Sequence, residues 1–398
     1  MIKMEKERKI AGISWNVFLL GLVSFLNDMS SEMIAPIVPT YLTDILKMGK
    51  LASGSIMGLI ESLSSLFKVI FGYISDVFRK RKTFVALGYL LSTIAKGALA
   101  LTHSWWDFLT LRILDRIGKG IRTAPRDALI AESSEKGKSG KSFGFHRMMD
   151  TLGAVTGPLV AVGLLALLSK YPKELAYRYI FLISAIPGAI GVLIVIFLVK
   201  DRGGIVKKKI KEISSLKSPH LRAFLAVVAI AALGRYSYAF TLWKVKELGY
   251  SIFQGLEFYA LFNVIYALAA YPIGSYSDKV GKKKIITTGF GIAGLASLLF
   301  AYSKSLAMLM LAFILYGVYM AIEDTIPRAY MADLAKEYEK GTIIGMYHTV
   351  FGIFVFPASI IVGYLWQTYS LEIGFLYASV MNFIAMILMG TFVKEKAN

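Results

Sequence analysis

The sequence predicts an all-α membrane protein, with twelve transmembrane helices in two pseudo-symmetric six-helix bundles. Three observations lead there. Only 18% of the 398 residues are Asp, Glu, Lys or Arg and 56% are hydrophobic, with a mean hydropathy of +0.60, whereas soluble domains carry about 25% charge. Apolar runs near the roughly 20 residues needed to cross a hydrocarbon core recur from Trp15 to Val393. Finally, the longest polar interruption, KDRGGIVKKKIKEISSLKSP at 200–219, divides the chain into halves that echo one another. Barrel strands would be half as long and would alternate polar with apolar residues, which these runs do not.

The helices are expected over 15–43, 52–77, 83–103, 105–131, 142–168 and 178–199, then 220–246, 250–276, 284–302, 305–330, 341–368 and 371–393. This gives an N-terminal bundle at 1–199, a linker at 200–219 and a C-terminal bundle at 220–398. The leading MIKMEKERKI is too polar, and the apolar run after it too long, for a cleaved signal peptide, so the first helix is expected to be retained.

The net charge of +19 could suggest nucleic acid, but its distribution points to membrane topology instead. With each helix-end cation counted in its adjoining loop, 27 Lys and Arg lie on the side of the N-terminus and 8 on the other. That bias places both termini in the cytoplasm, with anionic lipid headgroups as partners of the surplus charge. The chain contains no cysteine, so disulfides and thiolate metal sites are excluded.

The echo between halves is specific. Gly72-Tyr-Ile-Ser-Asp76-Val-Phe-Arg79-Lys-Arg-Lys82 follows the second helix, and Gly274-Ser-Tyr-Ser-Asp278-Lys-Val-Gly281-Lys282-Lys-Lys284 follows the eighth. Pro125-Arg126 answers Pro327-Arg328, and Gly153 to Pro158 answers Gly352 to Pro357. Three matches at corresponding places indicate a duplication. A carboxylate at a helix end, beside a glycine that permits close approach, can accept from helix N-termini and pair with loop cations. Such a contact can hold one conformation and release another.

On these residues the chain resembles the major facilitator superfamily across essentially its full length. The family pattern is Gly-x-x-x-Asp-x-x-Gly-Arg/Lys-Arg/Lys. Gly274, Asp278, Gly281, Lys282 and Lys283 fit it completely, whereas the first copy keeps Gly72 and Asp76 but carries Arg79 at the second glycine. LNDMSSEMIAPIVPTYL together with RIGKGIRTAPRDALIA resembles a prokaryotic subgroup of that superfamily. Arg116-Ile-Gly118-Lys119-Gly120 is similar to the helix-four motif Arg-x-x-Gln-Gly of proton-coupled members, with Lys119 at the Gln position. Gly153-Ala-Val-Thr-Gly157-Pro158 is similar to a helix-five motif of proton-driven exporters, with Ala161 where a further Gly is usual. The resemblance implies proton coupling at Arg116 and drug-exporter-like activity. Physically, Gly153 and Gly157 allow close helix contact and Pro158 bends the helix.

Ten cations fall inside the expected helices, eight of them in the first half. A cation at the bilayer centre costs at least about 2.5 kcal/mol on insertion scales, so these must face partners or a cavity. At 100 degrees per residue, Arg112, Asp115, Arg116, Lys119, Arg122, Arg126 and Asp127 share one stripe about 140 degrees wide. A cavity-lining fourth helix would carry such a stripe. Arg122, Arg126 and Asp127 are expected to snorkel or pair at the cytoplasmic interface, leaving Arg112, Asp115, Arg116 and Lys119 as the functional candidates. Asp28, Glu32, Glu61 and Asp150 are the titratable partners, and in the second half Arg235, Glu323 and Asp324 complete the set.

The function expected from these residues is secondary transport of a small organic solute by alternating access, with protons as the coupled ion and a site between the halves. Export is the preferred direction. Uptake or exchange of an organic anion through an Arg-lined cavity, or a non-transporting receptor, are the alternatives. An ATP-driven pump lacks a phosphate loop, because Gly274 lies seven residues before Gly281-Lys282 where five are required. An enzyme finds no support in the scattered His103, His146, His220 and His348, and neither a metal nor a cofactor is expected. The partners expected are the solute, protons and membrane lipids, with no nucleic acid, and the chain is expected to act as a monomer.

Overall fold

The computed structural model describes residues 9–10, 12–47, 67–201, 213–250 and 252–393. Its long helices, in chain order, are α1 Trp15–Ile34, α2 at 67–78, α3 Arg81–Ala98, α4 Trp105–Ser133, α5 Ser139–Leu167, α6 Lys173–Phe197 and α7 Pro219–Leu233. There follow α8 Tyr238–Glu247, α9 Ile252–Val280, α10 Lys282–Tyr302, α11 Leu306–Glu323, α12 Ile326–Leu334, α13 Lys340–Thr368 and α14 Leu371–Phe392. A two-residue antiparallel pairing of Lys9–Ile10 with Ile13–Ser14 precedes α1, which Ser14 caps by accepting from Val17 N–H.

Nine spans among the described residues are long and apolar enough to cross a membrane. The other three expected spans fall short for separate reasons. The second is described only from residue 67; α4 carries too many charges; and the seventh is divided into α7 and α8.

Three helices depart from the expected bounds. The first stops at Ile34 instead of 43, because Pro36 and Pro39 cannot donate to a continuing ladder, and a π turn at Tyr41–Ile45 follows. The seventh opens between Leu233 and Tyr238 after Gly234, whose freed carbonyl accepts from the Asn382 amide at 3.3 Å. The tenth opens between Glu323 and Ile326, ahead of Pro327. Pro327 has no N–H to offer Glu323 four residues back, and the Tyr347 hydroxyl donates to that carbonyl at 3.2 Å. Irregular backbone at membrane depth needs such replacement donors.

The chain divides into two compact units. The first comprises Met1–Glu135, Met149–Lys209 and Lys340–Gly345; the second comprises Lys136–Met148, Ile210–Glu339 and Met346–Asn398. Inside the first, α3 packs on α4 and α6, and α1 packs on α6. Inside the second, α10 packs on α11 and α14, and α7 packs on α14. These pairings correspond one for one, which is the duplication expressed as packing. Each unit shows apolar stripes outward at helical spacing, such as Leu182, Ile186, Ile190, Leu193 and Phe197 on α6. At one end of the first unit, Tyr41 packs edge-on against Phe181 and lies beside Phe108 and Tyr177 in a buried cluster.

Most of the stripe on α4 turns into the protein: Arg112, Asp115, Arg122, Arg126 and Asp127 are buried, and Arg116 and Lys119 are half-buried. Arg122, Arg126 and Asp127 are 4%, 9% and 0% exposed, so they do not snorkel to an interface as expected. The reason is local: Ser92 and Tyr89 on α3 receive Arg122, and Asp127 receives Arg126, before either cation needs water.

Candidate functional site

The repeated Gly-x-x-x-Asp segments form two equivalent contacts, one in each unit. Asp76 accepts from the N–H groups of Gly341 and Thr342 at 3.1 and 2.6 Å and from the Thr342 hydroxyl at 2.5 Å, which caps the N-terminus of α13. Asp278 accepts from the N–H groups of Gly140 and Lys141 at 2.9 and 2.7 Å, which caps α5 in the same way. A carboxylate here meets the partial positive charge of a helix start as well as charge-assisted hydrogen bonds. Gly72 and Gly274 make this possible: a Cβ on either would collide with the backbone of Gly341 or Gly140.

Each aspartate also holds a cation, and each cation bridges to a second carboxylate. Arg81 lies 2.5 Å from Asp76 and 3.0 Å from Glu132, with a further bond to Ser75. Lys282 lies 2.8 Å from Asp278 and 2.9 Å from Asp333, which accepts from Ser139. The sequence reading had Lys282 but neither Arg81, Glu132 nor Asp333. A weak signal existed, since a buried Asp capping a helix needs a counter-ion and the basic run Arg79 to Lys82, which includes Arg81, follows directly.

The departure at Arg79 has a backbone consequence. Gly281 sits at φ 101° and Arg79 at φ 56°, so both copies use the left-handed region, where a side chain is strained. Arg79→Gly is expected to raise stability by about 0.5–1 kcal/mol, the relieved strain being partly offset by a freer unfolded chain. Thermal unfolding of the purified protein checks this; a lower midpoint would mean that Arg79 side-chain contacts outweigh the backbone.

Just before α13, the buried Glu339 accepts from Ser214 N–H, the Ser214 hydroxyl and Ser215 N–H, each at 2.8 Å. Burial acts to raise its pKa, but the donors of Ser215 and Ser214 prevail and hold the carboxyl below the usual glutamate range. The C-terminal end of the polar linker is thereby fastened to the second unit.

A second polar assembly fills the first unit. Arg112 donates to Asp115 at 3.2 Å, and Ser92 donates to the Asp115 carbonyl at 3.1 Å and accepts from Arg122 at 2.5 Å. Lys96, wholly buried, donates to Asn27 Oδ1 and Ser31 Oγ at 3.2 Å. Asp115 is the common counter-charge, within electrostatic reach of Arg112, Arg116, Lys96 and Arg122. Ser24 donates to Asp150 at 2.6 Å, and the Asp28 carboxyl lies near that of Asp150, with Lys119 and Glu32 in electrostatic reach. The α5 glycines bring these aspartates together: Gly157 lies against Met29 and Glu32, and Gly153 against Phe25. Glu61 lies outside the described residues.

In the second unit the charges gather at the helix breaks. Arg235, in the opening between α7 and α8, pairs with Glu323, which accepts from Tyr319 at 2.6 Å. Arg147 lies 2.6 Å from Asp324, and the Tyr266 hydroxyl accepts from Arg147 and donates to Asp324. Among the described residues, no group of three or more His, Asp or Glu is placed to hold a metal ion.

The Major Facilitator Superfamily model matches residues 20–262 and 224–398, which together run through most of the chain. This chain belongs to that superfamily. It is 40% identical over 385 residues to the uncharacterized MFS-type transporter MJ1317 of Methanocaldococcus jannaschii, covering 95% of this chain and 94% of the relative. It is 29% identical over 301 residues to the multidrug resistance protein MdtG of Citrobacter koseri, covering 71% of each. Among solved structures, the human organic anion transporter MFSD10 aligns with a TM-score of 0.72 at 16% identity, covering 94% of this chain and 98% of that one. The E. coli fucose:proton symporter FucP aligns at 0.71 and 15%, covering 95% and 98%. These two likenesses concern the fold.

As a member of the Major Facilitator Superfamily the protein is a multi-pass membrane transporter and not an enzyme. Of the site residues named from the sequence, the fold brings Arg112, Asp115 and Arg116 together on α4, and Asp28, Glu32, Lys119 and Asp150 around the α1–α5 contact. It gathers Arg235, Glu323 and Asp324 with Arg147 in the second unit. Sequence reasoning passed over Lys96, Arg147 and Tyr266 as site members. Lys96 carried a usable signal, a lone cation inside an otherwise apolar third helix.

Proposed function

We propose that the protein is a proton-coupled exporter of a small organic solute, working by alternating access with both termini in the cytoplasm. The observation that carries the coupling is the juxtaposition of the Asp28 and Asp150 carboxyls, with Ser24 held to Asp150 at 2.6 Å. Two carboxylates side by side repel, so a proton taken up by either one relieves the pair. Its loss places two negative charges side by side, near Lys119 and Glu32, and gives α1 and α5 a reason to rearrange. Arg112 and Arg116, gathered around Asp115, set the field in which that proton is taken up. Support for export comes from the relatives named multidrug resistance proteins and from the packed α5 glycines.

Reconstituted vesicles with an entrapped pH dye test the proposal. Asp28→Asn is expected to abolish proton movement linked to solute while leaving solute exchange without a pH gradient intact. Arg116→Gln is expected to behave likewise. Proton-linked flux at wild-type rates in Asp28→Asn would remove the carboxyl pair from the mechanism.

A further inference from the structure

The cluster at the two helix breaks of the second unit is unevenly accessible. Arg235, Arg147 and Asp324 keep 16%, 23% and 29% of their side-chain surface exposed, whereas Glu323 keeps 3%. The groups a ligand can reach are thus two guanidiniums and one carboxylate, with a positive remainder. Tyrosine rings lie against both cations: Arg147 is 4.9 Å from the Tyr266 ring centre and Arg235 is 5.8 Å from that of Tyr319. A guanidinium lying over a ring presents its N–H edge to oxyanions, as Arg147 does to Asp324. Asp324 already stands where such an oxyanion would sit, in contact with Arg147 and in electrostatic reach of Arg235. Breaks in transmembrane helices gather at solute sites, because unwound backbone is tolerated where it lines a cavity.

We infer that this cluster is a solute subsite and that its ligand is an aromatic organic monoanion, a carboxylate or sulfonate on a planar ring. The oxyanion displaces Asp324 from Arg147 and engages Arg235, and the ring lies along the tyrosines. Asp324 is then the resident counter-ion of Arg147 in the empty site. The inference rests on the transport reading above but not on its proton coupling or direction.

Equilibrium dialysis and thermal shift of the purified protein at one pH, without a gradient, provide the test. The probes are 1-naphthoate and 1-naphthalenesulfonate, with cyclohexanecarboxylate and 1-naphthylmethylammonium for comparison. The aryl anions are expected to bind saturably, the cyclohexane acid more weakly, and the ammonium not at all. Arg235→Gln with Glu323→Gln removes a pair together, so no buried charge is stranded, and should weaken aryl-anion binding by roughly ten- to a hundredfold. Asp324→Asn should tighten it, an outcome that a merely structural aspartate would not give. Should that variant not be monodisperse, Arg147→Gln with Asp324→Asn takes its place, and weaker binding is expected. Failure of both aryl anions to bind, preference for the ammonium, tighter or equal binding in the Arg235 pair variant, or weaker binding in Asp324→Asn would each overturn the inference. Binding is read here at one pH without a gradient and coupling is read as proton-linked flux in vesicles, so a failure of coupling and a failure of this subsite are told apart.

Discussion

Asp76→Ala is expected to destabilise the protein by about 3–5 kcal/mol, the range for removing one partner of a buried pair. The carboxylate is fully buried and serves three donors at the start of α13, and its removal strands Arg81, itself wholly buried, with Glu132 as its remaining anion. Asp278→Ala should cost less. Lys282 keeps Asp333, whose side chain is 35% exposed, so water already shares the work of solvation there. Thermal unfolding in detergent measures both; equal losses, or a larger loss for Asp278→Ala, would refute this ranking. Because the chain has no cysteine, single cysteines placed in α13 can report whether its N-terminus also becomes accessible to thiol reagents.

Asp115→Asn should have an effect of similar size, about 3–5 kcal/mol. One carboxylate answers Arg112, Arg116, Lys96 and Arg122, so its neutralisation leaves a group of cations inside a low-dielectric helix packing. Adding Lys96→Met removes one member of that group and should restore at least about 1 kcal/mol, since neighbours in one network are not additive. The double-mutant cycle on unfolding midpoints decides the matter. If Lys96→Met lowers stability further, the Asn27 and Ser31 bonds of Lys96 outweigh its repulsion and Asp115 is not the common counter-charge.

Features that repeat or have a period were legible in the sequence. The Gly72 and Gly274 segments repeat, and both cap a helix. The α4 stripe follows from 100-degree spacing, and five of its seven residues are buried. Features that depend on distant partners were not legible. Glu132 and Asp333 read as ordinary charges near loops, because nothing local shows that a cation held by Asp76 or Asp278 will reach them. Arg122 and Arg126 read as interfacial because position along a helix is visible while the depth of the neighbouring helix is not. The helix breaks were masked by hydropathy: Gly234 and Pro327 are the usual punctuation, but apolar residues on both sides continued the run.

The charge of α4 also bears on how the chain enters the membrane. A helix with five cations and four carboxylates is a poor candidate to leave a translocation channel for lipid by itself. Yet the hydrogen-bonding groups that receive its stripe from other helices, Ser92 and the Gly88 carbonyl on α3, precede it in the chain, as do Asn27 and Ser31, which hold Lys96 nearby. Synthesis runs from the N-terminus, so these groups are made before α4 emerges. The fourth helix therefore has partners waiting for it, and its insertion is a matter of pairing with α3 more than of partitioning into lipid.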